Sequence, residues 1–317
     1  MVHEPLSQQD IAGIVDRLFP DVELVGCEYE PGDSTASHYA LQLENLTELS
    51  LKVYAPGTPT HIPDQEVRLL RLLTSETGVP VPRVLLANES VSTEESPRWI
   101  LLSHLPGQPL AQVRDTLESW DLGSVGYEAG RYLAHIHQIT VDAFGTLFSD
   151  DPDSQVREKA YVLAEVDRRL AECSEHGLLN SATAKELHSH LADTELLTRR
   201  QPCLLHGDFQ SANLIVEPGM TGHHITGIRE FAHAQGGSPE QDIATFFAHD
   251  LAGESTAQKE FLDGYAESGE LLASFWDRLA LYQAFIGLRS LAQAGPHCAP
   301  KKQRLYVDSI AAYLNSR

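Results

Sequence analysis

The apolar positions of this chain change period along its length. Ile11, Ile14, Val15 and Leu18 recur at helical spacing behind Ser7, with Asp10 three residues on as a capping-box acid, and predict a first helix. From Asp21 to Tyr54 the pattern is that of strands and turns. In Leu49-Ser50-Leu51-Lys52-Val53-Tyr54 the alternation sets Lys52 on the face opposite Leu49, Leu51 and Val53. A helix is predicted from Asp64 to Thr77, with Val67, Leu70 and Leu73 as its buried stripe and Gly78 as its stop. Val79-Pro80-Val81-Pro82 reads as a rigid extended connector, and Trp99-Ile100-Leu101-Leu102-Ser103 as a strand. After Gly107 the period is helical. Ala129, Tyr132, Leu133 and Ile136 mark an amphipathic helix ending near Ile139, on which His135 and His137 read as structural rather than metal-binding. Further helical patterns cover 154–173 and 181–200, and Leu271, Leu272, Phe275, Leu279, Tyr282, Phe285 and Ile286 make a long apolar helix. Between them, Leu214-Ile215-Val216 and Ile225-Thr226-Gly227-Ile228 flank a Pro/Gly-rich turn, which predicts a tight hairpin.

Composition narrows the class. A chain of 317 residues, 42% hydrophobic, suits one large domain or two lobes sharing a cleft. No stretch is long and apolar enough to span a membrane, and Met1-Val2-His3-Glu4-Pro5 does not read as a signal peptide. Cys27, Cys173, Cys203 and Cys298 lack Cys-x-x-Cys spacing, which points to reduced thiols in a cytoplasm rather than a disulfide frame or zinc site. The formal charge of −22, from 23 basic and 45 acidic residues, disfavours nucleic acid and anionic membrane as partners. It permits a cationic substrate, and equally reflects solubility or a salt-adapted host.

The densest chemistry lies just before the hairpin. His206-Gly207-Asp208-Phe209-Gln210-Ser211-Ala212-Asn213 holds an acid and, five residues later, an amide; Glu230 stands at the hairpin's far end. Phosphoryl transfer needs such groups: a carboxylate near the attacking hydroxyl, and an amide and a carboxylate to hold Mg²⁺ on the phosphates. Taken singly, each of these residues is as readily a turn cap.

Together they resemble the aminoglycoside phosphotransferase-like superfamily, a branch of the protein-kinase-like fold. That family's catalytic loop, H-G-D-x-x-x-x-N, is matched at His206, Gly207, Asp208 and Asn213. Its later G-D/S-P-x-x-D-L/I stretch is matched by Gly237-Ser238-Pro239-Glu240-Gln241-Asp242-Ile243. Two departures stand out. The family's I-D-F/W at the hairpin end is Arg229-Glu230-Phe231, so the metal-binding Asp is replaced by Glu. The nucleotide-covering loop, Glu28 to Tyr39, has one glycine and Ala36 where the family carries Asn.

The resemblance implies an α+β, protein-kinase-like two-lobe fold: a small antiparallel-sheet N-lobe over 1–103 and a larger, mostly helical C-lobe over 104–317. It implies Asp208 as the group that orients or deprotonates the acceptor hydroxyl, and Asn213 and Glu230 as Mg²⁺ ligands. Lys52 would hold the phosphates, paired with Glu66; Ser34 and Thr35 would contact phosphate; the hinge near Ser103 to Leu105 would take the base. Asp242 would anchor the loop. The expected donor is ATP, with GTP the other candidate, and the expected acceptor a small-molecule hydroxyl compound, an aminoglycoside-like antibiotic or amino alcohol among them. Some of Asp250, Glu254, Asp263, Glu267, Glu270 and Asp277 would line a pocket for a cationic or hydroxyl-rich acceptor. The expected assembly is a monomer or weak dimer. Two other readings stay open: a nucleotide-binding pseudokinase, motivated by Glu230, and a kinase acting on proteins. The few residues between Phe231 and Pro239 leave no long activation segment for the latter.

Overall fold

The structure, a computed structural model, describes residues 6–30, 36–88, 97–147, 157–199, 201–297 and 299–316. Ser7 caps the first helix, α1 (Gln8–Asp16), by accepting the backbone N–H of Asp10. Ile11, Ile14 and Val15 are buried on one face, whereas Leu18 lies past the helix end and is exposed. Strands β1 (Leu24–Glu30), β2 (Ala36–Leu43), β3 (Glu48–Tyr54), β4 (Val84–Ala87) and β5 (Trp99–Ser103) form an antiparallel sheet in the order β1-β2-β3-β5-β4. Both faces of this sheet are covered, and the period of two sorts the side chains between them. Tyr39, Leu41, Leu49, Leu51, Val53, Trp99 and Leu101 pack with α1 in one core cluster. Tyr54, Ile100 and Leu102 face the other way, onto Val67, Leu70 and Leu73 of helix α2 (His61–Glu76). Lys52 is on that second side, buried between sheet and helix. Helix α2 starts three residues before Asp64, because Pro63 fits a first turn whose N–H has no partner in any case.

The rest of the chain is mostly helical. Strand β6 (Gln108–Pro109), α3 (Leu110–Val113), α4 (Ser119–His137), β7 (Gly145–Thr146), α5 (Glu158–Glu175) and α6 (Ser181–Asp193) lead to the site. Strand β8 (Cys203–Leu205) precedes it, and β9 (Leu214–Gly219) and β10 (Gly222–Ile228) form the hairpin. Strand β11 (Gln235–Gly237), α7 (Glu240–His249), α8 (Ser255–Tyr265), α9 (Phe275–Ala294) and α10 (Pro300–Asn315) complete the larger lobe. Helices α4 and α8 cross at very short range. A Cβ on Gly130 would lie 2.0 Å from the Phe261 carbonyl oxygen, and one on Gly264 2.1 Å from that of Tyr127.

Two expected helices end or begin elsewhere. Helix α6 stops at Asp193 rather than near Arg200, since Lys159 donates to the Thr194 carbonyl and the Arg199 N–H donates to Glu158, pinning 194–199 as a non-helical segment. Helix α9 begins at Phe275, leaving Leu271 and Leu272 ahead of it. Inside this apolar helix Arg278 is 1% exposed; it donates to Glu158 of α5 and Glu240 of α7, and Tyr282 adds a hydrogen bond to Glu158. This buried cluster ties three helices together. Among the described residues Cys27, Cys173 and Cys203 are free thiols, and no helix is long and apolar enough to cross a membrane.

Candidate active site

The loop from His206 to Asn213 joins β8 to β9, and its shape depends on Gly207. That residue has φ +80°, and a Cβ there would lie 1.9 Å from the His233 carbonyl oxygen, so only glycine fits. Asp242, in the first turn of α7, accepts the backbone N–H groups of His206 (2.7 Å) and Gly207 (3.0 Å) and meets His137 Nε2 at 3.2 Å. Burial raises the Asp242 carboxyl, but His137 and His206 outweigh it and hold it below the ordinary range. The His206 ring is buried and its basicity lowered, which favours the neutral form. In the tautomer that suits its neighbours, Nε2–H donates to the Arg229 carbonyl at 2.9 Å and Nδ1 accepts the Asp208 N–H at 3.3 Å.

Asp208 is thus presented from a rigid loop, and its carboxylate is further held from both sides. Asn213 Nδ2 donates to Oδ2 at 2.9 Å, and also to the Asp208 carbonyl; Gln210 Nε2 donates to Oδ1 at 2.8 Å. Buried Asp250 accepts the Ser211 N–H and hydroxyl, and Arg289 donates to the Gly207 carbonyl at 2.9 Å. The Asp250 carboxyl is raised by burial.

A second constellation centres on Lys52. Its Nζ lies 3.0 and 2.9 Å from the two Glu66 carboxylate oxygens and 2.7 Å from Glu230 Oε2. Glu66 also accepts the Tyr54 hydroxyl and the Phe231 N–H, so it couples β3, α2 and the segment after the hairpin. Burial alone would lower the Lys52 ammonium, yet Glu230 and Glu66 raise it above its ordinary value. Glu230 stands two residues beyond the end of β10, in the left-handed region at φ 71°. Its other oxygen meets His38 Nε2 at 3.0 Å. Burial raises the Glu230 carboxyl, but Lys52 and His38 hold it well below the usual carboxylate range.

The structure therefore brings Lys52, Glu66 and Glu230 together, and Asp208 with Asn213, but it turns Glu230 and Asn213 toward different partners. The two groups are joined through backbone: the Arg229 N–H donates to the Asn213 carbonyl. Three participants had no place in the sequence reading. His38 is the cross-strand partner of Lys52, and Tyr54 is two residues from it on the same face; strand register and alternation carry that signal. Gln210 has no such signal.

Two cavities flank these groups. One, of about 550 Å³, is lined by Lys52, Glu66, Glu230, His38, Ser103 and Leu105. Ser103 donates its N–H to the Arg83 carbonyl and accepts the Arg83 N–H on its hydroxyl, so its donor is already engaged within the sheet. Ser34 and Thr35 lie outside the described residues. The other cavity, of about 380 Å³, lies at Asp208 and Gln210, under the C-terminal half of α9 and α10. The acidic residues expected around an acceptor do not line it. Asp250 is committed to Ser211, Asp263 pairs with Lys259, Glu267 accepts the Tyr127 hydroxyl, and Glu254, Glu270 and Asp277 are absent from its wall. The reason is geometric: Asp277 sits twelve residues before Arg289 on α9, about 18 Å at 1.5 Å per residue, and only the Arg289 end reaches Asp208.

This architecture has solved counterparts. A proposed fructosamine-3-kinase from Thermobifida fusca YX-ER1 aligns with a TM-score of 0.68 at 18% identity, over 98% of this chain and all of that one. The ADP-bound aminoglycoside phosphotransferase APH(2'')-Ib aligns at 0.65 and 16% identity, over 96% and 97% of the two chains. A thermostable mutant of aminoglycoside phosphotransferase APH(4)-Ia, in ternary complex with AMP-PNP and hygromycin B, aligns at 0.68 and 16%, over 97% and 98%. The fold is the protein-kinase-like two-lobe fold. The model of the phosphotransferase enzyme family matches residues 28–282, about four-fifths of the sequence, and the chain belongs to that family.

Proposed function

We propose that this protein transfers the γ-phosphate of ATP to a hydroxyl of a small molecule. The observation that carries the reading is the Glu66–Lys52–Glu230 cluster on the wall of a cavity large enough for a nucleotide, with Asp208 on a rigid loop nearby. The ADP and AMP-PNP in the structural counterparts support a nucleotide there. In this reading the sheet lobe, 1–103, binds nucleotide, and 104–317 carries the catalytic loop and acceptor site. Lys52, oriented by Glu66, contacts the phosphates. The base stacks by the hinge, with backbone of Leu105 rather than the engaged N–H of Ser103 as its partner; Ser34 and Thr35 complete the phosphate contacts.

Asp208 orients the acceptor hydroxyl and takes its proton as the oxygen–phosphorus bond forms and the β,γ bridge breaks. Asn213 and Gln210 keep its carboxylate from rotating. The residues present fit Mg²⁺. With Asn213 Nδ2 turned to Asp208, its amide oxygen is not used by that carboxylate, and Glu230 would supply a second hard oxygen donor on exchanging Lys52 or His38 for the ion. Among the described residues no group of three or more His, Cys, Asp or Glu could hold a metal, and nucleotide-bound Mg²⁺ needs only one or two protein oxygens. Bound there, Mg²⁺ would neutralise charge on the β- and γ-phosphates.

Asp208→Asn should remove nearly all turnover and leave ATP affinity within a few-fold, whereas Lys52→Ala should mainly weaken nucleotide binding. Full activity of Asp208→Asn would end the kinase reading. A second reading, a nucleotide-binding pseudokinase, is favoured by one observation: both Glu230 oxygens are engaged by Lys52 and His38. Mg²⁺-dependent ATP hydrolysis by the wild type separates the two.

A further inference from the structure

The cavity at Asp208 has a charge that the chain as a whole does not. The protein carries −22, yet the side chains converging on this cavity include Arg289 of α9 and Lys302 of α10, with His233 and His249 beside them. Among the described residues Asp208 is the one carboxylate on its wall. Neither cation forms an ion pair among the described residues. Arg289 spends one N–H on the Gly207 carbonyl, which fixes the guanidinium beside the catalytic loop and leaves four of its five donors. Lys302 is exposed on the first turn of α10. Both cations and His249 line the one cavity; the imidazole of His249 is lowered by burial first, with Asp250 and Asp208 raising it and Lys302 and Arg289 lowering it.

An acceptor bearing a cation would be repelled by both residues. An acceptor bearing an anion would otherwise be repelled by Asp208 and by the nucleotide phosphates, and two cations on the same wall, without an ion-pair partner among the described residues, offset that repulsion. We propose that the acceptor is a small hydroxyl compound that also carries a carboxylate or phosphate, held by Arg289 and Lys302 while its hydroxyl meets Asp208. This inference rests on the kinase reading for the role of Asp208, but the charge preference is measurable without turnover.

The test uses the full chain with ADP and Mg²⁺ at low salt and pH 7, and matched small molecules. Gluconate is compared with glucitol, glycerate with glycerol, glucose 6-phosphate with glucose, and glucosamine serves as the cationic member. Binding is read by calorimetry and thermal shift. At least one acid should bind at least tenfold more tightly than its neutral partner, and the advantage should shrink as salt rises. The carboxylate and phosphate pairs separate the two anion classes. Lys302→Glu, at an exposed position where refolding is not at stake, should abolish or invert the preference, and Arg289→Gln should weaken it. In turnover assays these changes should raise KM for the acid and leave KM for ATP within a few-fold.

No acid outbinding its neutral partner, glucosamine outbinding the acids, or an undiminished preference in Lys302→Glu would each overturn the inference. A loss of ATP affinity without loss of acid affinity would assign the cations to the nucleotide instead and overturn it as well. The two readings fail separately. Acid-selective binding with no phosphoryl transfer sinks the kinase reading alone, while phosphorylation of neutral or amino sugars with acids excluded sinks the anionic acceptor alone.

Discussion

Lys52→Met tests the buried charge cluster most directly. Lys52 is 1% exposed and is the cation shared by Glu66, 2% exposed, and Glu230. Methionine keeps the unbranched apolar stem, one atom shorter, and removes the charge. Glu66 retains only the Tyr54 hydroxyl and the Phe231 N–H, and Glu230 retains only His38. Removing one partner of a buried pair costs about 3–5 kcal/mol. For a chain of this length that corresponds to a Tm lower by roughly 6–10 °C, at about 2 °C per kcal/mol.

The effect should depend on pH in a defined direction. In the wild type Glu230 is held below the usual carboxylate range, so its contribution is present at neutral pH and is lost only as pH falls through that low value. Without Lys52, the largest attraction opposing its burial is gone, and Glu230 takes up a proton more readily in the native state than in the unfolded chain. The Tm gap between wild type and variant should therefore be widest near pH 7 and narrow below about pH 5, where ordinary carboxylates begin to protonate. Adding Glu66→Gln to Lys52→Met should recover part of the loss, because both partners of the pair are then neutral. Differential scanning calorimetry across pH measures the wild type, both single variants and the double variant. A pH-independent gap, or a double variant as unstable as the sum of the singles, would refute the cluster as described.

Other outcomes follow from the same contacts. Glu230→Ala should abolish metal-dependent turnover, while Glu230→Asp, whose shorter side chain is drawn back from Lys52 and His38, should keep or raise it; a fully active Glu230→Ala in steady-state assays would remove Glu230 from the metal site. Asp242→Asn should lower kcat with little change in KM for ATP, because the amide keeps one acceptor oxygen and one of the two catalytic-loop N–H groups then faces an NH2 instead of a carboxylate oxygen. Arg278→Met should cost about 3–5 kcal/mol by leaving Glu158 buried without its cation and Glu240 with only the longer Arg199 contact at 3.8 Å, read by denaturant unfolding. In an acid titration followed by circular dichroism, wild-type stability should fall as pH drops through the lowered values of Glu158, held down by Arg278 against burial, and Asp242, held down by His137; Arg278→Met should move the midpoint to higher pH.

The sequence by itself determines what is contiguous or periodic. The loop from His206 to Asn213, the hairpin after it and Asp242 at the start of α7 are contiguous patterns readable as such, although the loop is held in shape by distant Asp242, Asp250 and Arg289. The pairing of Lys52 with Glu66 follows from a strand alternation and a helix stripe, once a family resemblance says that the two face each other. Helix boundaries are legible to within a few residues where a cap or proline marks them, as at Ser7, and not where distant groups intervene, as at Thr194. Tertiary structure alone decides the direction of Glu230, because a left-handed backbone at one residue turns its carboxylate toward Lys52 and His38. It alone explains a buried arginine in the first turn of the apolar α9, whose partners lie 120 and 38 residues away. It also decides the charge of the cavity at Asp208. A net charge of −22 sums over every surface, whereas that cavity sees only the end of α9 and the start of α10, and helix rotation aims two cations there while the acidic residues point elsewhere.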